Sequence, residues 1–459
     1  MKAEAIPNLG DPDLLEHENS EYRHKLTILS VTPFFLPVIG GVESVVYESS
    51  IGMRKKGHRP IILTGSFSDR VGSEIIEGVE VIRANQLDVP ENGVIDPSNF
   101  DFKAPGKLLS KIVEEKQVDV IHLHNYQMKQ YAMFLFSFLK EVDLSRIPVV
   151  ITIHNSTDDD FAHYLFSYLP FSKVIVLTSK SAFDLIKGGV PAGKIHALPN
   201  MIDTLKFTMA DGQVIRRKMG FGKEPILLFP SRLVGREGVS FKNQSGKGLH
   251  TLLRALHLIK REIPDVKLLL MGNDPVYPEK VRKFKEDLAQ MASTLGAEDS
   301  IRFLDGAIPQ NQIPDLFSAA DVVVSLGVTE CFGMVFLEGM AAGKPVVGVN
   351  SAENGVAEVV KDGYSGILVP PNDPLSTANA IIRLLSDNNL AHTMGNQAVK
   401  WVKDNYDVDV VVPRLIDLYR QCIRELKESP HTTIDHPQGT VDHPHGTVDQ
   451  GRNLASPPV

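Results

Sequence analysis

The sequence predicts an α/β protein made of two doubly wound, Rossmann-like domains facing each other across a cleft. Three observations predict it: short β-branched runs alternate with amphipathic helical stretches, the series starts afresh near residue 205, and polar residues cluster just after strands. The chain has 459 residues, 43% of them hydrophobic and 23% charged, enough for two full cores.

The first series of strands reads KLTILSV (25–31), PIILT (60–64), VEVIR (79–83), VDVIHL (118–123), PVVITI (148–153) and KVIVL (173–177). The second reads PILLFP (225–230), VKLLLMG (266–272), SIRFL (300–304), DVVVSL (321–326), PVVGV (345–349) and GILV (366–369). Six strands in each set, divided at LPNMIDTLKF, place one domain at 24–205 and a second at 206–405, with a terminal helix over 406–428. YAMFLFSFL (131–139) is too short to cross a membrane and reads as a buried helix.

The ends differ in kind. Residues 1–23 are polar, acidic and without periodicity, and they do not resemble a secretory signal. Residues 429–459 carry the near-repeat HPQGTVD, HPHGTVD. Neither end holds enough apolar surface to offset its ordering entropy, so both read as disordered tails. His436, His443 and His445 lack the cysteines or spaced carboxylates of a defined metal site.

Charge and cysteine content narrow the partners. A net charge of −8 argues against nucleic acid as a main partner, and it weakens, without excluding, peripheral membrane contact. Two cysteines, Cys331 and Cys422, give no disulfide framework, and a reducing cytoplasm is the expected setting.

In doubly wound sheets ligands bind beyond the carboxyl ends of the strands. Gly40 and Gly41 follow the first strand and open a helix whose amides suit a phosphate; the pattern is not G-x-G-x-x-G, which argues against a nicotinamide cofactor. His154 ends ITIH, placed either to meet a ligand hydroxyl or to bond the backbone, and His122 and His124 in VIHLH read as structural. Arg232 follows PILLFP, and Lys247 is expected in the first turn of GKGLHTLLRAL; together they can neutralise a diphosphate. SGKG is not a nucleotide-triphosphatase loop, because Phe241 replaces its first glycine and Gly248 its Ser or Thr.

The most informative stretch is TECFGMVFLEGMAAGKPVV (329–347). In continuous helix Glu330 and Glu338 would lie about 12 Å apart and off one another's face. A loop before the helix lets one carboxylate sit at its mouth and the other a turn inside, both lining the cleft, with the amides of Gly333, Met334 and Val335 facing an anion. Two carboxylates around an anion site suit a ligand with hydroxyls at both ends and phosphates between them.

With GGVESVV, VDVIHLHN, ITIHN, LPNMIDTLKF, KGLHTLLRAL, the E-x7-E stretch and NGVAEVVKDGYSGILVPPNDP, residues 25–425 resemble the retaining glycosyltransferases of family 4 with the GT-B fold. The resemblance implies transfer of a hexosyl group from a UDP- or GDP-linked sugar to a small-molecule, glycan or lipid-linked acceptor hydroxyl. No resident cofactor or metal is implied, and TDDDF (157–161) reads as a helix start rather than a metal motif. Glu330 and His154 would contact the transferred sugar, Glu338 the ribose, Arg232 and Lys247 the diphosphate, and Gly40, Gly41, Phe332, Gly333, Met334 and Val335 the rest of the donor. Gly272 and Asn273 match the loop beside the base, and the last helix would return to the first domain. The family places its Lys five positions after the Arg; here fifteen separate Arg232 from Lys247, leaving Arg236 a rival and 233–246 an insertion. An epimerase or phosphorylase on the same architecture, or a noncatalytic scaffold, are the alternatives.

Overall fold

The computed structural model describes residues 24–38, 40–67, 70–90, 95–155, 160–231, 247–271, 278–304 and 308–428. Both terminal segments, the insertion at 233–246, Arg232, Arg236, Gly272 and Asn273 lie outside the described residues.

The first sheet contains β1 (Thr27–Val31), β2 (Arg59–Thr64), β3 (Gly72–Ile76), β4 (Val79–Arg83), β5 (Val120–His124), β6 (Val149–Ile153), β7 (Lys173–Val176) and β8 (Ile195–Ala197), in the order β3-β4-β2-β1-β5-β6-β7-β8. The second contains β9 (Ile226–Phe229), β10 (Lys267–Met271), β11 (Ile301–Leu304), β12 (Val322–Val324), β13 (Val346–Val349) and β14 (Gly366–Val369), ordered β11-β10-β9-β12-β13-β14. All neighbouring pairs are parallel except β3 with β4. β5, β6, β9 and β13 are buried throughout, as strands covered on both faces must be.

The first sheet therefore has eight strands where the sequence reading expected six. β3 reads GSEII and is largely exposed, so no apolar run announces it. It is held by its ladder to β4 across a two-residue turn in which Glu77 (φ 49°) and Gly78 (φ 77°) are both left-handed. β8 is a three-residue, half-buried edge strand. Both additions lie at the sheet's margins, away from the strand ends that carry the site.

The chain passes between the sheets twice, and the two passages are bonded to each other. Ile202 donates its N–H to the Tyr406 carbonyl at 3.0 Å, and Val408 donates to the Ile202 carbonyl at 3.0 Å. Asp407 accepts from the Thr204 amide (3.2 Å) and hydroxyl (2.5 Å). Helix Val408–Glu428 then returns to the first sheet, where Val411, Val412, Leu415 and Tyr419 pack with Leu26, Ile28, Val120, Val150 and Ile175. Burial of such side chains contributes about 1.5–3 kcal/mol each. Among the described residues, no helix is long and apolar enough to cross a membrane.

Candidate active site

The site begins where β12 ends. Leu326 donates its N–H to the Lys247 carbonyl at 3.0 Å, pinning the approach to helix Leu249–Glu262 onto the end of β12. Gly248, the cap of that helix, has φ 77°, and a Cβ there would come within 2.4 Å of the Leu326 carbonyl oxygen. Only glycine meets both demands. Lys247 consequently stands just ahead of the helix rather than in its first turn, correcting the sequence expectation: its carbonyl is committed to Leu326. Its Nζ forms an ion pair with Glu330 Oε2.

Glu330 is held from behind as well. Its carbonyl accepts the Gly355 N–H at 3.0 Å. A Cβ on Gly355 would sit 2.3 Å from the Cys331 carbonyl oxygen and 2.6 Å from the Thr178 side chain of the first sheet's domain, so this loop is wedged between the two halves. Next to it, Glu358 accepts from the Ser179 and Lys180 amides at 2.8 and 3.0 Å, satisfying two terminal donors of helix Ser179–Lys187 from across the cleft.

Residues 331–333 separate Glu330 from helix Met334–Ala341, as the sequence reading required. Phe332 is buried, edge-on to Tyr406 at 5.9 Å between ring centroids. Gly333 caps the helix, and Gly40 caps helix Gly41–Lys55; neither cap has a side chain to occupy the terminal amides. These two helix starts meet: a Cβ on Gly41 would lie 3.5 Å from Met334 Cγ. Two positive dipole ends thus converge from opposite domains, with Met334 and Val335 half-buried between them.

Glu338 lies one turn inside the helix. Burial, and then the carboxylate of Glu48 on helix Gly41–Lys55, push its pKa up to about 7. Glu48 is itself buried, raised by that burial, and bonded to Lys206 at 2.8 and 2.9 Å. Glu330 is ion-paired at the mouth, and Glu338, half-buried one turn inside the helix, feels the charge of the Glu48 carboxylate. Sequence reading passed over Glu48 and Lys206, although a lone glutamate inside the apolar helical run VVYESSIGM was the available signal.

His154 follows β6. Its N–H donates to Asn125 Oδ1 at 3.1 Å, and its Nε2 lies 3.1 Å from His124 Nδ1. His122 is structural, as expected, with both ring nitrogens committed to Tyr419 Oη (2.6 Å) and Thr152 Oγ1 (2.7 Å). His124 was expected to be structural too, yet it touches the candidate residue His154. Burial holds His122 and His154 neutral, with pKa values lowered to about 3, and pushes His124 well down. The structure thus joins Lys247 with Glu330, Gly41 with Met334, and His154 with His124.

The family described as Glycosyltransferase Family 4 matches residues 39–206, and Glycosyl transferases group 1 matches 213–401. The chain is 28% identical over 401 residues to an uncharacterized glycosyltransferase of Methanocaldococcus jannaschii, covering 83% of this chain and 95% of that protein. It is 32% identical over 237 residues to a GDP-mannose-dependent alpha-(1-6)-phosphatidylinositol monomannoside mannosyltransferase of Mycolicibacterium smegmatis, covering 50% of this chain and 56% of the relative. An Anabaena protein crystallised with UDP-glucose superposes with a TM-score of 0.65 at 22% identity, over 86% of this chain and all of that one. Matched in both halves and built on two facing Rossmann-like domains, the chain belongs to the family 4, group 1 glycosyltransferases of GT-B fold.

Proposed function

We propose that the protein transfers a hexosyl group from a UDP- or GDP-linked sugar to an acceptor hydroxyl, with retention at the anomeric carbon and without a divalent metal. The observation that carries this reading is the meeting of two glycine-capped helix starts, at Gly41 and Met334, beside the Lys247–Glu330 pair. That arrangement suits a diphosphate: dipole ends and a lysine offer positive potential where negative charge develops as the leaving group departs. The UDP-glucose and GDP-mannose named for similar proteins support a nucleotide-diphosphate donor.

In this reading the bond between the anomeric carbon and the phosphate oxygen breaks, and its electron pair leaves with the nucleoside diphosphate. The acceptor oxygen forms the new bond on the same face, and its proton passes to the departing phosphate. Lys247, with Arg232 from outside the described residues, stabilises the leaving group and takes the role a metal fills elsewhere. Glu330 and His154 contact the transferred sugar, and Glu338 accepts from the ribose hydroxyls. Gly40, Phe332, Gly333 and Val335 shape the donor pocket, and Gly272 and Asn273 approach the base. The acceptor is a small molecule, a glycan or a lipid-linked sugar, and the chain acts in the cytoplasm, with peripheral membrane contact where the acceptor is lipid-linked.

The test is a screen of UDP- and GDP-sugars against acceptor panels, read as nucleoside diphosphate release, with NMR of the product's anomeric configuration. A retained α-linked product from an α-linked donor supports the proposal; an inverted product contradicts it. Epimerised sugar without acceptor, or strict dependence on orthophosphate, would replace transfer with epimerase or phosphorylase chemistry.

A further inference from the structure

We infer that Glu358 is a positioning residue for the transferred sugar: it clasps the loop behind Glu330 onto the first domain, and so sets where Glu330 stands relative to His154. The inference rests on the reading of Glu330 and His154 as sugar contacts, but the clasp itself can be tested with no ligand present.

Glu330 and His154 belong to different domains, so a sugar that touches both needs the two domains in register at that point. His154 directly follows β6. Thr178 lies two residues beyond β7, the neighbouring strand, where Ile153 pairs with Val176. The first domain therefore presents Thr178 and the start of helix Ser179–Lys187 beside the end of β6 that carries His154. On the other side of the cleft, the Glu330 carbonyl takes the Gly355 N–H, which ties Glu330 to the start of helix Val356–Val359. Whatever joins that helix to the end of β7 also sets Glu330 against His154.

Glu358 makes the join. The first amides of helix Ser179–Lys187 need acceptors from outside the helix. Thr178 Oγ1 takes the Ser181 N–H at 3.2 Å. The Ser179 and Lys180 amides go instead to the two carboxylate oxygens of Glu358, at 2.8 and 3.0 Å. A carboxylate at the positive end of a helix makes charge-assisted bonds, stronger than those of a neutral acceptor. The cap is thus divided between the domains, one member from the helix's own side and one from across the cleft. Gly355 brings the two sides close, since a Cβ there would meet both Thr178 and the Cys331 carbonyl oxygen.

The clasp is also fixed from behind, so it transmits position. The Glu358 carbonyl accepts from Tyr406 Oη at 3.1 Å, and the Val359 carbonyl accepts from Trp401 Nε1 at 2.9 Å. Buried Asn354 donates to the Val349 carbonyl at 2.9 Å and accepts the Val356 N–H at 3.3 Å. Held by its own domain at both ends, this segment carries Glu330 with it when it caps the helix of the other.

The experiment compares Glu358→Ala, Glu358→Gln and Ser179→Pro with the wild type. Glutamine keeps one acceptor oxygen, and one oxygen can take two successive amides, as Asp373 Oδ1 does for Leu375 and Ser376. Proline suits the first position of a helix, and Thr178 before it is already extended at φ −141°, ψ 158°. Ser179→Pro therefore removes one donor from the clasp while leaving the helix stable. Without ligand, hydrogen exchange at the Gly355 amide should quicken about tenfold in Glu358→Ala and return toward the wild-type rate in Glu358→Gln. In the transfer assay Glu358→Ala should lose about tenfold in turnover, Ser179→Pro at least about threefold with no loss of melting temperature, and Glu358→Gln should keep most of it. UDP or GDP, which lacks the sugar, should bind all three as it binds the wild type. Unchanged exchange at Gly355 in Glu358→Ala overturns the inference, and so does full turnover in Ser179→Pro, which decides alone if Glu358→Ala does not fold. Diphosphate binding weakened as much as turnover would make Glu358 a general prop of the donor pocket and overturns it as well. A wild type without transfer activity would sink the proposed function, and the exchange comparison would then judge the clasp by itself.

Discussion

Lys247 and Glu330, 83 residues apart in sequence, are ion-paired at the mouth of helix Met334–Ala341. The lysine side chain is 47% exposed, so the pair contributes little to folding. In the proposed function, it would hold an ammonium where a diphosphate arrives, to be exchanged from carboxylate to phosphate. Lys247→Met should therefore lower turnover by about ten- to a hundredfold, the loss of one charge-assisted contact to the leaving group, with a melting temperature close to wild type. A large loss of stability with intact turnover would assign the lysine to the fold instead.

Glu338 makes the unliganded protein sensitive to pH. Its carboxyl is raised from an ordinary 4.5 to about 7 in the folded state. The folded protein thus holds this proton more tightly than the unfolded chain does. The associated stability is fully present below about 4.5, and it is lost as pH rises to about 7. Glu338→Gln, which cannot ionise, should melt above the wild type at pH well over 7 and with it at pH near 5. Parallel melting curves for the two proteins at all pH values would remove the buried-carboxyl account.

Two glycines should respond in opposite ways. Gly248→Ala combines a left-handed φ of 77° with a 2.4 Å approach to the Leu326 carbonyl, and should destabilise by more than the roughly 1–3 kcal/mol that such backbone strain costs alone. Gly41→Ala meets only the Met334 side chain, its Cγ at an ordinary 3.5 Å and its Cβ at 3.9 Å. It should fold normally while narrowing the gap between the two helix starts, raising the donor KM. Thermal melts and donor titrations check both; equal melting temperatures for the two variants would contradict the packing described at Leu326.

Chelation should leave turnover intact. In the proposed function, Lys247 and Arg232 would serve the diphosphate in place of a metal. Activity abolished by EDTA and restored by magnesium or manganese would refute this.

Much of the scaffold was legible in the sequence because parallel strands covered on both faces must be written as apolar runs, and all twelve such runs are strands. β3 and β8 were not legible: one is exposed and held by a turn, the other is a three-residue edge. At the site, the loop–helix boundary after Glu330 could be read from Phe332-Gly333. The partners of the site residues could not. That Glu48 comes near enough for Glu338 to feel its charge, that His124 reaches His154, and that Gly355 backs Glu330 all follow from how elements distant in sequence pack, and periodicity carries no record of it.

In the proposed function the two glutamates hold different parts of the donor, and calorimetric binding of UDP and GDP to Glu330→Gln and Glu338→Gln separates their roles. A nucleoside diphosphate retains the ribose but lacks the transferred sugar. Glu338→Gln should bind the preferred diphosphate about ten- to a hundredfold more weakly, having lost one charge-assisted contact of roughly 1.5–3 kcal/mol. Glu330→Gln should bind it as well as the wild type or better, since Lys247 is released for the phosphates. Equal weakening in both variants, or weakening in Glu330→Gln alone, would contradict the account.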